Sequence, residues 1–390
     1  MVDLLPEDPY SALYPPENIF SVAGRGLHWD TAADVQEFCE EIAKYERLEV
    51  VRLSGNTLGI PAARAFAAAL ASQKHLKVLD LSDVFTGRLR HELPIALEAI
   101  CKAVVDKESI LELDLSDNAF GPAGAEPLAP FLVERRSLRT LRLNNNGLGP
   151  KGGQLVANAL LEAAKRNQKE NRESALRTVV IGRNRLENSS AEAFAEAFAA
   201  HGLLREVRMP QNGIRPEGIV TLLGGLAKCT MLRWLDLQDN TFTTTGAVAL
   251  AKTLSAWTEL EHLNVGDCML NPEGGLAVAN ALLAFRPPLQ KLNLSYGEID
   301  ERGALILSQA VALMPALRAL ELNGNQFAAD GAAADAIRDA LDRHNNGEAL
   351  GSLSDMEELS EEEVEEEEEE EEKEEEEVDE LAAALAKAAV

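Results

Sequence analysis

The sequence predicts an α/β solenoid: a curved array of strand, turn and helix units with a parallel sheet lining its inner side. Three observations carry this expectation. Residues 138–148 read L-R-T-L-R-L-N-N-N-G-L, the same spacing of apolar residues returns along most of the 390-residue chain, and Ala- and Leu-rich stretches of helical period fill the intervals.

Leu138, Leu141, Leu143, Asn146 and Leu148 fit L-x-x-L-x-L-x-x-N-x-L at every fixed position, which is the pattern of a leucine-rich repeat. The Leu-x-Leu core predicts a short strand whose apolar side chains point into the solenoid. The Asn side chain is expected to turn inward and bond backbone groups that the turn leaves unpaired. Asn146 is therefore structural, whereas Asn145 holds a variable position that should face solvent at the strand rim.

Residues 1–18, with four prolines, read as an irregular lead-in. Phe20, Val22 and Leu27 fall on template positions with Arg25 where Asn would stand, so this is a degenerate first repeat that caps the array. Full repeats start at Leu48, Leu76, Ile110, Leu138, Leu176, Leu204, Leu232, Leu260, Leu289 and Leu317, at intervals of 28, 34, 28, 38, 28, 28, 28, 29 and 28. That period predicts eleven repeats over 19–346, a ribonuclease-inhibitor-like curved βα array. Helices are expected within 62–71, 156–164, 191–199, 276–284 and 333–343, with small residues where neighbouring helices must approach closely.

The ladder position is Asn56, Asn118, Asn146, Asn184, Asn212, Asn240 and Asn325, replaced by Val84, Cys268 and Gly297 in the other repeats. Val84 lies in the repeat with the first insertion, V-F-T-G-R-L-R-H-E-L-P, where a local rule broken beside an arginine-bearing loop suggests function. The second insertion, near Lys165 to Ser174, reads as a solvated polar extension.

The net charge of −28 is uneven: residues 351–390 hold 20 acids and two Lys, which leaves −10 for residues 1–350. Residues 347–390 are expected to form a disordered acidic tail, because self-repelling charge without an apolar face cannot offset its ordering entropy. Acidity throughout argues against nucleic acid and for a basic protein partner. No apolar run nears the roughly 20 residues of a membrane span, and the start lacks signal-peptide character. A soluble, cytoplasmic monomer without a membrane role is expected. The dispersed Cys39, Cys101, Cys229 and Cys268 suggest neither disulfides nor zinc, and no metal or cofactor of its own is assigned.

Gly147, Gly149 and Gly152 satisfy G-x-G-x-x-G between a strand and a helix. Leu148 is already committed to the repeat core, so a dinucleotide site is not read here. No Ser, His and acid constellation stands out, and the chain reads as a binding surface. The position before each ladder residue, Gly55, Asp83, Asp117, Asn145, Arg183, Gln211, Asp239, Asp267, Tyr296 and Gly324, should run along one edge, where four aspartates suit a basic partner.

In order along the chain, F-S-V-A-G-R-G-L, S-G-N-T-L-G, F-T-G-R, L-S-D-N-A-F-G-P, N-N-G-L-G-P, G-R-N-R-L-E-N, Q-N-G-I-R-P-E-G, L-Q-D-N-T-F-T and L-E-L-N-G-N resemble the Ran GTPase-activating proteins, in particular the fungal form. The plant amino-terminal and animal carboxy-terminal targeting domains have no counterpart here, so the resemblance does not extend to the modification-dependent docking at nuclear pores that the animal domain provides. The resemblance implies stimulation of GTP hydrolysis on Ran in its GTP-bound state, in support of nucleocytoplasmic transport, with a Ran-binding protein as a further partner. GTP and Mg2+ would be bound by the GTPase.

Other activators insert an arginine finger. This family is thought to use an Asn in N-N-G-L-G-P to position the catalytic glutamine of Ran, which corresponds to Asn145. An important arginine of F-T-G-R corresponds to Arg88, for which the resemblance suggests support of the interface rather than a finger. Asp83, Asp117, Arg183, Asp239 and Asp267 are the expected partner contacts. Two alternatives are a ribonuclease-inhibitor-like scaffold, which would carry many more cysteines, and an acidic chaperone, which would depend on the tail and be indifferent to Asn145.

Overall fold

The computed structural model describes residues 9–357. Eleven three-residue strands form one parallel sheet in chain order: Ile19–Ser21, Val50–Arg52, Val78–Asp80, Glu112–Asp114, Thr140–Arg142, Thr178–Val180, Glu206–Arg208, Trp234–Asp236, His262–Asn264, Lys291–Asn293 and Ala319–Glu321. Register equates template positions, pairing Leu79 with Leu113 and Leu141 with Val179 across the two insertions. The added residues therefore leave strand pairing intact. Each central strand residue is buried because alternation turns it toward the helices, while its neighbours face the inner side of the curve.

The helices lie outside, among them Ile60–Ser72, Glu92–Val104, Gly121–Glu134, Gly149–Lys169, Glu187–His201, Pro272–Phe285 and Ala332–Asp342. Strands pack about 4.8 Å apart and helices about 8–10 Å apart, and this mismatch bends the array. Small residues keep the helix spacing short: a Cβ at Gly225 would lie 2.3 Å from Ala195 O. At the first unit, Trp29 packs edge-on against Phe38 and Phe66, with centroids 5.5 and 5.2 Å away, and the short strands His28–Trp29 and Thr57–Leu58 pair beside them.

The ladder asparagines are buried and serve two repeats at once. Asn146 Nδ2 donates to Leu115 O and Leu143 O at 3.0 and 3.1 Å, and its Oδ1 accepts from Asn118 N at 3.0 Å. Cys268 keeps part of this role, its thiol reaching Leu237 O and Gly266 O at 3.4 Å. At Val84 the amide is missing, and Leu81 O keeps the bond from the following repeat, accepting from Asn118 Nδ2 at 2.8 Å. The glycine decoy dissolves likewise: Leu148 is fully buried, and Gly152 packs its helix against Pro122.

The second insertion is mostly exposed, as expected of a solvated polar extension, but it is ordered: it lengthens a helix to 21 residues, Gly149–Lys169, and turns Asn167 inward to 2% exposure. Its charges find partners on the preceding helix and turn: Arg166 with Glu134 at 2.7 Å and Arg172 with Glu108 at 3.2 Å. The boundary at 346 moves. Residues 347–357 cap the last repeat, with Leu350 bridging to Leu320 and Leu353 and Met356 packed on the core. An array must cover its open end, and this segment does so. The rest of the expected acidic tail lies outside the described residues.

Candidate functional site

Every rim position adopts a left-handed backbone, from Gly55, Asp83 and Asp117 through Asn145, Arg183, Gln211, Asp239, Asp267 and Tyr296 to Gly324, with φ between 47° and 69°. The cause is the turn that follows each strand, which must point the residue's N–H at the next repeat. Asn145 N donates to Gly182 O at 2.9 Å, and Asp117 N to Asn144 O at 2.8 Å. Asn and Asp tolerate this region better than other non-glycine residues. The four aspartates thus have a conformational reason that the sequence reading missed. The signal was present, since Gly, Asp and Asn fill seven of the ten rim positions.

Asp83, Asp117, Arg183 and Asp267 are exposed, while Asn145 and Asp239 are half-buried. Asp83 Oδ1 accepts from Thr86 Oγ1 at 2.6 Å, within the inserted loop. Asn145 Nδ2 donates to Asp117 Oδ1 at 2.9 Å. A carboxylate only accepts, so Asp117 decides which end of the Asn145 amide turns toward it. Asn145 Oδ1 is left without a hydrogen bond among the described residues, a fixed acceptor at the rim. Two residues of sequence, one repeat apart, build one polar group of defined orientation.

Arg88 points elsewhere. Phe85 plugs the inserted loop into the core at 2% exposure, and Arg88 N bonds Phe85 O at 3.1 Å. The Arg88 guanidinium pairs with Asp30 and donates to Trp29 O and Thr57 O at 3.3 and 3.2 Å; the side chain is 12% exposed. It ties the loop to the amino-terminal cap. Asp30, not singled out in the sequence, is the residue that holds it. The structure therefore joins Asn145 with Asp117 and keeps Asp83 two repeats away on the same edge, but it does not bring Arg88 to Asn145. Asp239 and Asp267 stand further along the rim.

On the inner face beside the rim, burial pushes the Asp114 carboxyl up to about 6, with Asp80 adding to the shift. Asp114 Oδ1 accepts from Ser116 N at 2.8 Å, and Arg142 Nε bonds Glu112 Oε1 at 3.3 Å. Among the described residues no group of three or more His, Cys, Asp or Glu could hold a metal ion, and no helix is long and apolar enough to cross a membrane.

Strand, ladder and rim together define a leucine-rich-repeat protein that presents an ordered polar edge, and the model described as Leucine Rich repeat matches residues 107–129, 135–157 and 228–251. Within that class the chain is similar to the Ran GTPase-activating proteins. It is 45% identical over 338 residues to Ran GTPase-activating protein 1 of Xenopus laevis, covering 86% of this chain and 58% of that one. It is 41% identical to the Ran GTPase-activating protein of Drosophila melanogaster, over 81% of this chain and 53% of the other. Ran GTPase-activating protein 1 of Saccharomyces cerevisiae is 33% identical, over 53% of this chain and 52% of its own length. The chain spans a little over half the length of these relatives.

Proposed function

We propose that this chain is a GTPase activator for Ran, acting on the GTP-bound state, with the chemistry taking place in the active site of the GTPase. GTP hydrolysis needs an attacking water held in line and charge stabilised on the γ-phosphate, so an activator acts chiefly by positioning and electrostatics. The observation that carries the reading is the Asn145–Asp117 pair on the rim of a chain that is similar to relatives named for Ran GTPase activation.

Asn145 Oδ1, turned away from Asp117, accepts a hydrogen bond from the side-chain amide of the catalytic glutamine of Ran. That contact freezes the glutamine with its carbonyl toward the water. Arg88 supports the loop and the interface instead of entering the nucleotide site, since its two terminal nitrogens are held by Asp30, Trp29 O and Thr57 O and its Nε is buried. Asp83, Asp117, Arg183, Asp239 and Asp267 meet the partner along the rim. A Ran-binding protein joins the complex, the chain acts as a monomer in the cytoplasm, and the activity supports nucleocytoplasmic transport.

Single-turnover hydrolysis of GTP on purified Ran, with catalytic amounts of this chain, tests the reading. Acceleration by orders of magnitude that collapses with Asn145→Ala is expected. Absence of acceleration with the unaltered chain would overturn it and favour a passive scaffold for a basic protein.

A further inference from the structure

The inner face of the sheet is not bare over its first strands. Most repeats place polar residues there, but Val50 and Val78 occupy inner-face positions in the second and third strands and are 0% and 1% exposed, while lying outside the main core cluster. Asp80 and Glu49 beside them are 5% and 3% exposed. What lies over this area is the chain's own amino-terminal segment. The Arg52 guanidinium sits 5.5 Å from the centroid of the Tyr10 ring, and Lys77 Nζ sits 5.5 Å from that of Tyr14. Tyr10 Oη donates to Glu112 Oε1 at 3.0 Å, which carries the segment as far as the fourth strand.

The segment holds this position without being part of the fold's core. No residue from 9 to 17 is buried, and Leu13 is 72% exposed. Leu13 N and Tyr14 N bond back to Tyr10 O at 3.0 and 2.9 Å, so the arm makes its own turn. Its reach matters because of where it ends. Glu112, under Tyr10, belongs to the same repeat as Asp117, which orients Asn145. Five residues of extended chain span no more than about 18 Å. A protein interface of standard size covers roughly 800 Å2 on each partner, a disc of about 16 Å radius. The two lengths are comparable, so a globular partner seated around Asn145 extends to the neighbourhood of the arm.

We propose that residues 9–14 are an intramolecular occupant of the inner face, covering Val50, Val78, Asp80 and Glu112, and that the partner GTPase docks on this face by displacing them. The inference rests on the reading of the chain as a Ran GTPase activator. The patch beneath the arm offers two valines flanked by Glu49, Asp80, Glu112 and Asp114, with Arg52 and Lys77 already paired to Asp80 and Glu49 at 3.1 and 2.8 Å. A basic surface with an apolar centre fits it. A closed arm lowers the fraction of binding-competent molecules, so the apparent affinity falls by that fraction.

The test uses the full chain with Tyr10→Ala and Tyr14→Ala together, which removes the arm's anchors without changing net charge, and measures KM and kcat for GTP hydrolysis on Ran at about 0.15 M salt, where charge beyond about 8 Å is screened. KM is expected to fall about 3- to 10-fold with kcat unchanged. A KM that stays the same or rises overturns the proposal. Deletion of residues 1–15 gives the same comparison if the double variant melts early. Hydrogen exchange of residues 9–18 supplies a second readout: protection there is expected to drop when Ran in its GTP-bound state is added, and retained protection would contradict displacement. If the unaltered chain fails to accelerate hydrolysis, the functional reading fails; if it accelerates and KM is insensitive to the arm, only this inference does.

Discussion

Asn145 and Asp117 stand one repeat apart and share a hydrogen bond of 2.9 Å from Nδ2 to Oδ1, both in the left-handed region. The bond fixes an amide at the rim in one of its two orientations. Asn146, the next residue, spends all of its bonds inside the solenoid. Adjacent asparagines thus serve different ends, and substitutions separate them. Asn145→Ala is expected to keep Ran affinity and to cost only about 1 kcal/mol of stability, because Ala tolerates the left-handed backbone less well than Asn, while activation falls by about 10², the scale of one preorganised polar group. Asn146→Ala is expected to lower stability by about 2–4 kcal/mol through lost buried hydrogen bonds. Thermal melts and single-turnover rates on both variants distinguish the two; a stable, fully active Asn145→Ala would remove it from the mechanism.

Asp117 acts through Asn145. Replacing it by Asn leaves a neighbour that both donates and accepts, so the Asn145 amide can take either orientation. Activation by Asp117→Asn is expected to fall by a few-fold to about 10-fold, with the loss in kcat. A defect confined to KM would place Asp117 in binding alone.

Arg88→Ala removes the tie between the inserted loop and the cap. Leaving Thr57 O without this donor, and Trp29 O with Gly59 N alone, costs about 1–3 kcal/mol. The informative partner is Asp30→Ala. A supporting role predicts that it reproduces much of the activity loss of Arg88→Ala, because it releases the same guanidinium. A finger predicts that freeing Arg88 preserves activation.

Cutting the chain after Glu357 is expected to leave the melting temperature unchanged and to weaken Ran association mainly at low salt, because the acids removed act at long range. Cutting after Asn346 also strips Leu350, Leu353 and Met356 from the end of the core, and a lower melting temperature is expected. Equal melting temperatures for the two truncations would show that residues 347–357 do not cap the array.

His201 gives a pH signature. Its Nδ1 faces Ser174 Oγ at 2.5 Å and its Nε2 faces Leu160 O at 3.0 Å; burial pushes the imidazole down to about 4. The unfolded chain binds the proton near pH 6.5. Below that pH the unfolded state takes up protons that the folded state refuses, so this group's stability is fully present above about 6.5 and is lost as pH falls toward 4, by about 3 kcal/mol in all. Urea unfolding between pH 7.5 and 4.5 is expected to show a shallower decline for His201→Gln than for the unaltered chain.

The sequence by itself determined the repeat, its register and the core, because a strand of Leu-x-Leu and a ladder Asn leave only one way to face inward. Leu138, Leu141, Leu143 and Asn146 are buried as their positions require. It also set Asn145 apart from Asn146, since the two fall on opposite sides of a local rule. It did not determine contacts between repeats or at the ends, which depend on which side chains come within reach once the array curves. Pairing of Asn145 with Asp117, capture of Arg88 by Asp30, burial of Asn167 in the second insertion, closure of the last repeat by residues 347–357 and the seat of Tyr10 over Arg52 and Glu112 join residues 28 to 102 positions apart or lie past the last repeat. Such contacts depend on which side chains stand at the matching places and how far they reach, not on the repeat pattern, and only the tertiary structure decided them.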